Sequence, residues 1–97
     1  MAYRLTRRAE ADVIEIFVNG AERFGLEHAE AYHAALERTF ELIALHPRLA
    51  QERTEIVPPV RIHPSGAHVI VYTVDAADDV LIVRVRHGRE YWIDDPS

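Results

Sequence analysis

The chain has 97 residues, about half of them apolar, and a formal net charge of −5. This length suits a single domain over 1–97 with one core and little room for a deep enclosed pocket, and the apolar share argues against disorder. The absence of cysteine removes disulfides, zinc–thiolate sites and thiol nucleophiles, and neither half is basic enough to grip a polyanion by bulk charge.

Tyr3–Leu5 reads as a short strand. Thr6 is a good N-cap, with Glu10 and Asp12 close behind it. Ala9, Val13, Ile16, Phe17, Gly20 and Phe24 then form an apolar stripe, with Asp12, Glu15, Asn19 and Glu22 on the opposite side. The pattern predicts an amphipathic helix that Gly25 ends in a left-handed cap. Ala29, Tyr32, Leu36, Phe40 and Ile43 form a second helical stripe, which stops near His46 because Pro47 disfavours helix in the residue before it. The short link predicts an antiparallel helical hairpin. Residues 48–59 read as a connection with one short strand. Val60–His63, His68–Val74 and Val80–Arg86 read as strands, with turns at Pro64-Ser65-Gly66 and Asp75–Asp79. The expected fold is α+β: a short N-terminal strand, an antiparallel helical hairpin, then an antiparallel β-sheet. No segment approaches the roughly 20 apolar residues that span a bilayer, and the start lacks a signal-like apolar run. A cytoplasmic protein without membrane attachment is expected.

All eleven basic residues are arginine, the planar fork suited to carboxylate or phosphate. Strict alternation puts Arg84 and Arg86 on one face of their strand, and sets Val60 and Ile62 against Arg61 and His63. If the apolar faces meet the helices, Arg61, His63, Arg84 and Arg86 gather on the far face as a positive patch. Three readings of that patch stand side by side. It could grip carboxylates of a protein partner. It could serve a metal-free ribonuclease, with Arg61 and Arg84 on phosphate and His87 as acid or base. It could be a solvated face with cross-strand ion pairs. The six histidines show no paired ligand spacing, so no metal or cofactor is expected. Ser65 and Ser97 lack a nucleophile setting. The tail segment Glu90-Tyr91-Trp92-Ile93 either packs back on the domain or anchors a partner. The candidate partner-binding set is Arg61, His63, Arg84, Arg86, His87, Arg89, Tyr91 and Trp92, with no catalytic residue assigned.

The run Tyr3-Arg4-Leu5-Thr6, then Ala9-x-x-Asp12-x-x-x-Ile16, resembles the opening of the ParE branch of the RelE/ParE toxin superfamily. Phe24-Gly25 with Ala29-x-x-Tyr32-x-x-x-Leu36 is similar to its second helix, and His46-Pro47 to its helix terminator. Arg61, Gly66-x-His68-Val69-Ile70-x-Tyr72 and Ile82-x-Arg84-Val85-x-His87-Gly88-Arg89 resemble its later strands. The resemblance covers nearly the whole chain. It implies a RelE/ParE-like type II toxin, neutralised by the C-terminal segment of a cognate antitoxin and meeting DNA only indirectly through it. ParE relatives inhibit DNA gyrase by binding, whereas RelE relatives cut mRNA on the ribosome. Gly88 after His87, the lack of lysine and the acidic balance favour the ParE side. The alternatives are a ribosome-dependent endoribonuclease and a degenerate member that only represses its operon.

Overall fold

Thr6 sets the first join of the molecule, a computed structural model that describes residues 3–88. It follows strand β1 (Tyr3–Leu5) and caps helix α1 (Arg7–Phe24), its hydroxyl accepting the Ala9 N–H at 3.0 Å. Helix α2 (Leu26–Leu45) follows after the single residue Gly25. Four strands complete the chain: β2 (Glu52–Arg53), β3 (Val60–Ser65), β4 (His68–Val74) and β5 (Val80–His87). The five strands form one sheet in the order β1-β5-β4-β3-β2. All neighbours are antiparallel except β1, which runs parallel to β5 with Tyr3 opposite Val80. The α+β reading holds, and the parallel edge is the one pairing that the sequence pattern did not indicate. No helix among the described residues is long and apolar enough to cross a membrane.

The helical stripes do what their spacing requires. Ala9 from α1 and Leu36, Phe40 and Ile43 from α2 pack with Ile70 and Tyr72 of β4 and with Val80, Ile82 and Val85 of β5. Each fully buried aliphatic here stabilises by about 1.5–3 kcal/mol. A second, smaller cluster lies apart from this one. Val60, Val71 and Ile56 are buried there, with Ile62, Val69 and Val83 packed around them. Ile56 comes from the loop between β2 and β3, so that otherwise exposed loop sets one side chain down over strand residues.

Gly25 has φ 94° and ψ 159°. The positive φ matches the expected cap, but ψ is extended rather than helical. The reason is economy of chain: the Gly25 N–H ends α1 on Ala21 O, while its own carbonyl accepts from Ala29 N at the start of α2. One residue makes the whole reversal, in a region that L side chains enter only with strain.

Tyr72 ties the chain beyond α2 to the sheet. Its hydroxyl donates to Pro47 O at 3.1 Å and accepts the Ala50 N–H at 3.3 Å. Burial raises its pKa above the ordinary tyrosine value of 10.0, against weaker opposing pulls from the Ala50 N–H and the Arg61 guanidinium. A folded-state value above the unfolded one means that this stability is complete below pH 10 and is lost as pH rises beyond it.

Two outcomes follow. Tyr72→Phe is expected to lower stability by about 1–2 kcal/mol at neutral pH and to flatten the alkaline decline, as measured by urea unfolding between pH 8 and 11; an unchanged alkaline slope would contradict the assignment. Gly25→Ala has no atom within 4 Å of the added Cβ, so its cost of about 1–3 kcal/mol is expected from backbone strain alone. A thermal midpoint equal to the parent would show that the hairpin reverses without that strain.

Candidate functional site

The register of β5 decides where the sequence-predicted site residues go. Ile70 lies opposite Val85 and Val71 opposite Arg84, but Tyr72 lies opposite Ile82. Val83 is therefore an extra residue, a β-bulge, and alternation slips by one at that point. Val80 and Ile82 share the helix-side core with Val85, although one-in-two counting assigns Val85 to the other face. In β3, Arg61 and His63 are in register with Tyr72 and Ile70, both members of that helix-side core, while Val60 and Ile62 join the second cluster. The expected common patch of Arg61, His63, Arg84 and Arg86 on the far face does not form. Two causes combine: the bulge shifts β5, and Ile56 supplies the far face with an apolar cover that draws Val60 and Ile62 away from the helices.

Each residue has its own setting instead. The Arg61 guanidinium donates through Nη1 to Ala50 O at 2.6 Å. The His63 ring contacts Pro64 O through Nδ1 at 2.7 Å, and since a carbonyl only accepts, that nitrogen carries the proton. Arg86 lies in register with Val69, and His87 with His68. Arg89, Tyr91 and Trp92 lie outside the described residues.

Arg84 meets a residue that sequence reasoning placed on the wet side of α1. Its Nε and Nη2 donate to the two carboxylate oxygens of Asp12 at 2.7 and 2.9 Å. The Val85 backbone N–H donates to the same carboxylate at 2.9 Å. Both side chains are largely buried, at 12% and 15% exposure. A bidentate fork plus a third donor is the geometry that makes a charge-assisted pair strong. The available signal was position: Asp12 lies three residues after the buried Ala9 and four before Ile16, hence on their face of the helix.

Tyr32 is the second residue whose role the stripe pattern hid. Its hydroxyl donates to Ser65 O at 3.1 Å and accepts the Ala67 N–H at 3.1 Å. Its 2.6 Å contact with His68 Nδ1 is then one that the imidazole N–H donates. The turn is built around this hydroxyl. Gly66 has φ +59°, and a Cβ there would sit 2.7 Å from the Tyr32 oxygen, so neither the backbone nor the space admits a side chain.

These contacts frame one groove of about 500 Å³ between α1, α2 and the paired ends of β4 and β5. Arg84, Arg86 and His87 line it together, so the structure unites three of the sequence-predicted residues and leaves Arg61 and His63 elsewhere. A row of rings runs along it from the end of α1 across α2 to the ends of β4 and β5. Phe24 and His28 have centroids 5.0 Å apart, His28 and Tyr32 6.4 Å, Tyr32 and His68 5.6 Å, and His68 and His87 5.4 Å. Arg23 stands over the Phe24 ring at 5.6 Å. Among the described residues, no group of three or more His, Asp or Glu side chains is arranged to hold a metal ion.

Breaking the pair from either side leaves a largely buried charge, so Asp12→Ala and Arg84→Ala are each expected to cost about 3–5 kcal/mol. The double variant should cost far less than the two together in denaturant unfolding. Additive losses would mean that the two groups are not coupled.

Comparison with known proteins agrees with this architecture. The family described as "ParE toxin of type II toxin-antitoxin system, parDE" matches residues 3–92. Toxin ParE1 of Caulobacter vibrioides is 40% identical over 85 residues, spanning 88% of this chain and 86% of its own. Toxin ParE1 of Mycobacterium tuberculosis is 32% identical over 87 residues, spanning 90% and 89%. A solved chain of the chromosomal ParDE TA system from P. aeruginosa superimposes with a TM-score of 0.76 over 90% of this chain and 95% of its own, at 20% identity, which speaks to the fold alone. With its order of elements, its sequence match from Tyr3 onward and its fold in agreement, the chain belongs to the ParE toxin family of type II toxin–antitoxin systems.

Proposed function

We propose that this toxin acts in the cytoplasm by binding rather than by catalysis, that it inhibits DNA gyrase, and that a cognate antitoxin neutralises it by adding a strand to the open edge of its sheet. The observation that carries the antitoxin part is the asymmetry of the two edges. On the β1 side, pairing between β1 and β5 ends at Leu5 and Ile82. Thr6 and Asp12 then take over: Thr6 N–H and Oγ1 donate to Ile82 O and Val83 O at 3.0 and 2.6 Å, and Asp12 accepts from Val85 N–H. On the other side, β2 pairs only with Val60 and Arg61, so Ile62–Ser65 has no strand on its outer side among the described residues. Such an edge is a template for an incoming segment. His63 lies on it, and Arg86 and His87 are the further candidate contacts for the acidic part of that segment.

The binding reading has a second support. Of the residues weighed for phosphodiester cleavage, Arg61 lies away from the groove and is engaged with Ala50, and the Arg84 guanidinium is taken up by Asp12. The operon-repressing role fits the same antitoxin complex and needs no further site on this chain.

Three measurements test the proposal. Purified toxin is expected to abolish gyrase supercoiling with accumulation of cleaved DNA, and added antitoxin to restore it. Cut mRNA in a cell-free translation reaction, with supercoiling intact, would instead establish the endoribonuclease alternative. Hydrogen exchange on the toxin–antitoxin complex is expected to slow at the Ile62 amide, the outward-facing N–H of the unpaired part of β3, by ten-fold or more, of the order of one net hydrogen bond. Unchanged exchange there would reject strand addition at this edge.

A further inference from the structure

Helix α1 is apolar on two faces. The inner one, with Ala9, Val13 and Ile16, belongs to the core. Ala11, Ile14, Val18 and Ala21 recur at helical spacing on the side turned away from it. Ile14 is 64% exposed and Val18 47%. A helix packed on one side only normally carries polar residues there. The row is bordered by acid, with Glu10 along one margin and Glu15 and Glu22 along the other. All three are exposed, and among the described residues none of them forms an ion pair. The cation in line with the row is Arg7, at its N-terminal end. The negative charge continues on α2, where His33 meets the Phe17 ring and reaches Glu37 at 3.5 Å. Burial, and then the charges of Glu37 and Glu41, raise the pKa of the nearby Tyr3 hydroxyl.

We infer that the outer face of α1 docks an amphipathic helix of a partner protein, one that carries lysine or arginine on both sides of an apolar seam. Ala11, Ile14, Val18 and Ala21 have the alternating three-and-four spacing of a helix–helix seam, and the alanines at its ends admit a close approach. The row rises about 15 Å along α1, so about three turns of a partner helix match it. An extended segment fits less well, since the interior of a helix has no free backbone groups for a strand to pair with. A second copy of this chain fits less well too, by charge. Two α1 helices packed antiparallel about the midpoint of Ile14 and Val18 would bring their Glu15 side chains together. Packed in parallel, they would set Glu10 of one copy against Glu15 of the other. Basic residues at the flanking positions of the partner answer the same acids. This surface is separate from the open β3 edge, since α1 lies over β5, toward the other side of the sheet. The inference goes beyond the proposed function and does not depend on it.

The test is fluorescence anisotropy of the toxin with a labelled helical peptide of about fourteen residues, with leucine at the seam positions and lysine flanking them. Two further peptides serve for comparison. One has the same composition with its leucines scattered around the helix, and one has glutamate in place of lysine. Saturable binding of the first is expected, about ten-fold tighter than that of the scattered peptide, with none by the glutamate peptide. Ile14→Ser should weaken it about five-fold or more through lost burial. The double variant Glu15→Gln, Glu22→Gln should flatten its dependence on salt. Ile14 is surface-exposed, so its variant is expected to retain the parental circular dichroism spectrum. If it does not, Val18→Ser takes its place. Equal binding of the scattered peptide would overturn the inference, since the face would then read charge alone. So would an affinity that the serine variant leaves unchanged. A toxin dimer in sedimentation that the serine variant dissolves would overturn it as well, by assigning the face to a second copy.

Discussion

The Asp12 carboxylate accepts from three N–H groups of β5, two on the Arg84 guanidinium and one on the Val85 backbone. Much of the molecule is arranged around that contact. It seats α1 against a strand whose partner β1 is only three residues long. It satisfies a strand amide that would otherwise face a missing neighbour, and it neutralises a guanidinium held near the core. The bulge at Val83 belongs to the same arrangement. An extra residue raises local twist and re-aims the side chains that follow, and Arg84 is the first of them. The groove owes its floor to Arg84 and Val85 and its α1 wall to the helix that Asp12 holds.

Much of the fold was legible in the sequence, for identifiable reasons. The apolar stripe from Ala29 to Ile43 has helical spacing, Pro47 stops the helix, and Thr6 is a capping residue set just ahead of a helical pattern. The β-branched runs 68–74 and 80–86 read as strands because that is where such residues fit. What could not be read was the facing of those strands. Alternation is a local rule, and one inserted residue inverts it beyond the insertion. Nothing in Val80–His87 distinguishes a bulged strand from a regular one. Ile56 raised the same difficulty, since a lone isoleucine in a proline-containing loop gives no sign that it roofs a second apolar cluster and thereby turns Arg61 and His63 toward the helix side.

The candidate site was half legible for a related reason. Arg84, Arg86 and His87 are neighbours in sequence, so any strand brings them near one another. Tyr32 and Asp12 join them only through tertiary contact. Tyr32 read as one more apolar position, because its ring packs within a stripe while its hydroxyl works on the far side of the β3–β4 turn. The glycine of that turn is the trace this contact leaves in the sequence: where a tyrosine oxygen occupies the place of a Cβ, no other residue fits.

The sealing of one sheet edge by a helix also governs self-association. Edge-to-edge growth of β-structure needs two templating sides, one to accept each new chain and one to pass the pattern on. With the β5 side beyond Ile82 occupied by Thr6 and Asp12, the three residues of β1 are all that this side of the sheet offers as a template. A three-residue strand is a poor base for edge-to-edge growth. Pairing of two copies across their longer β3 edges would give a closed pair with only that short strand from which to extend.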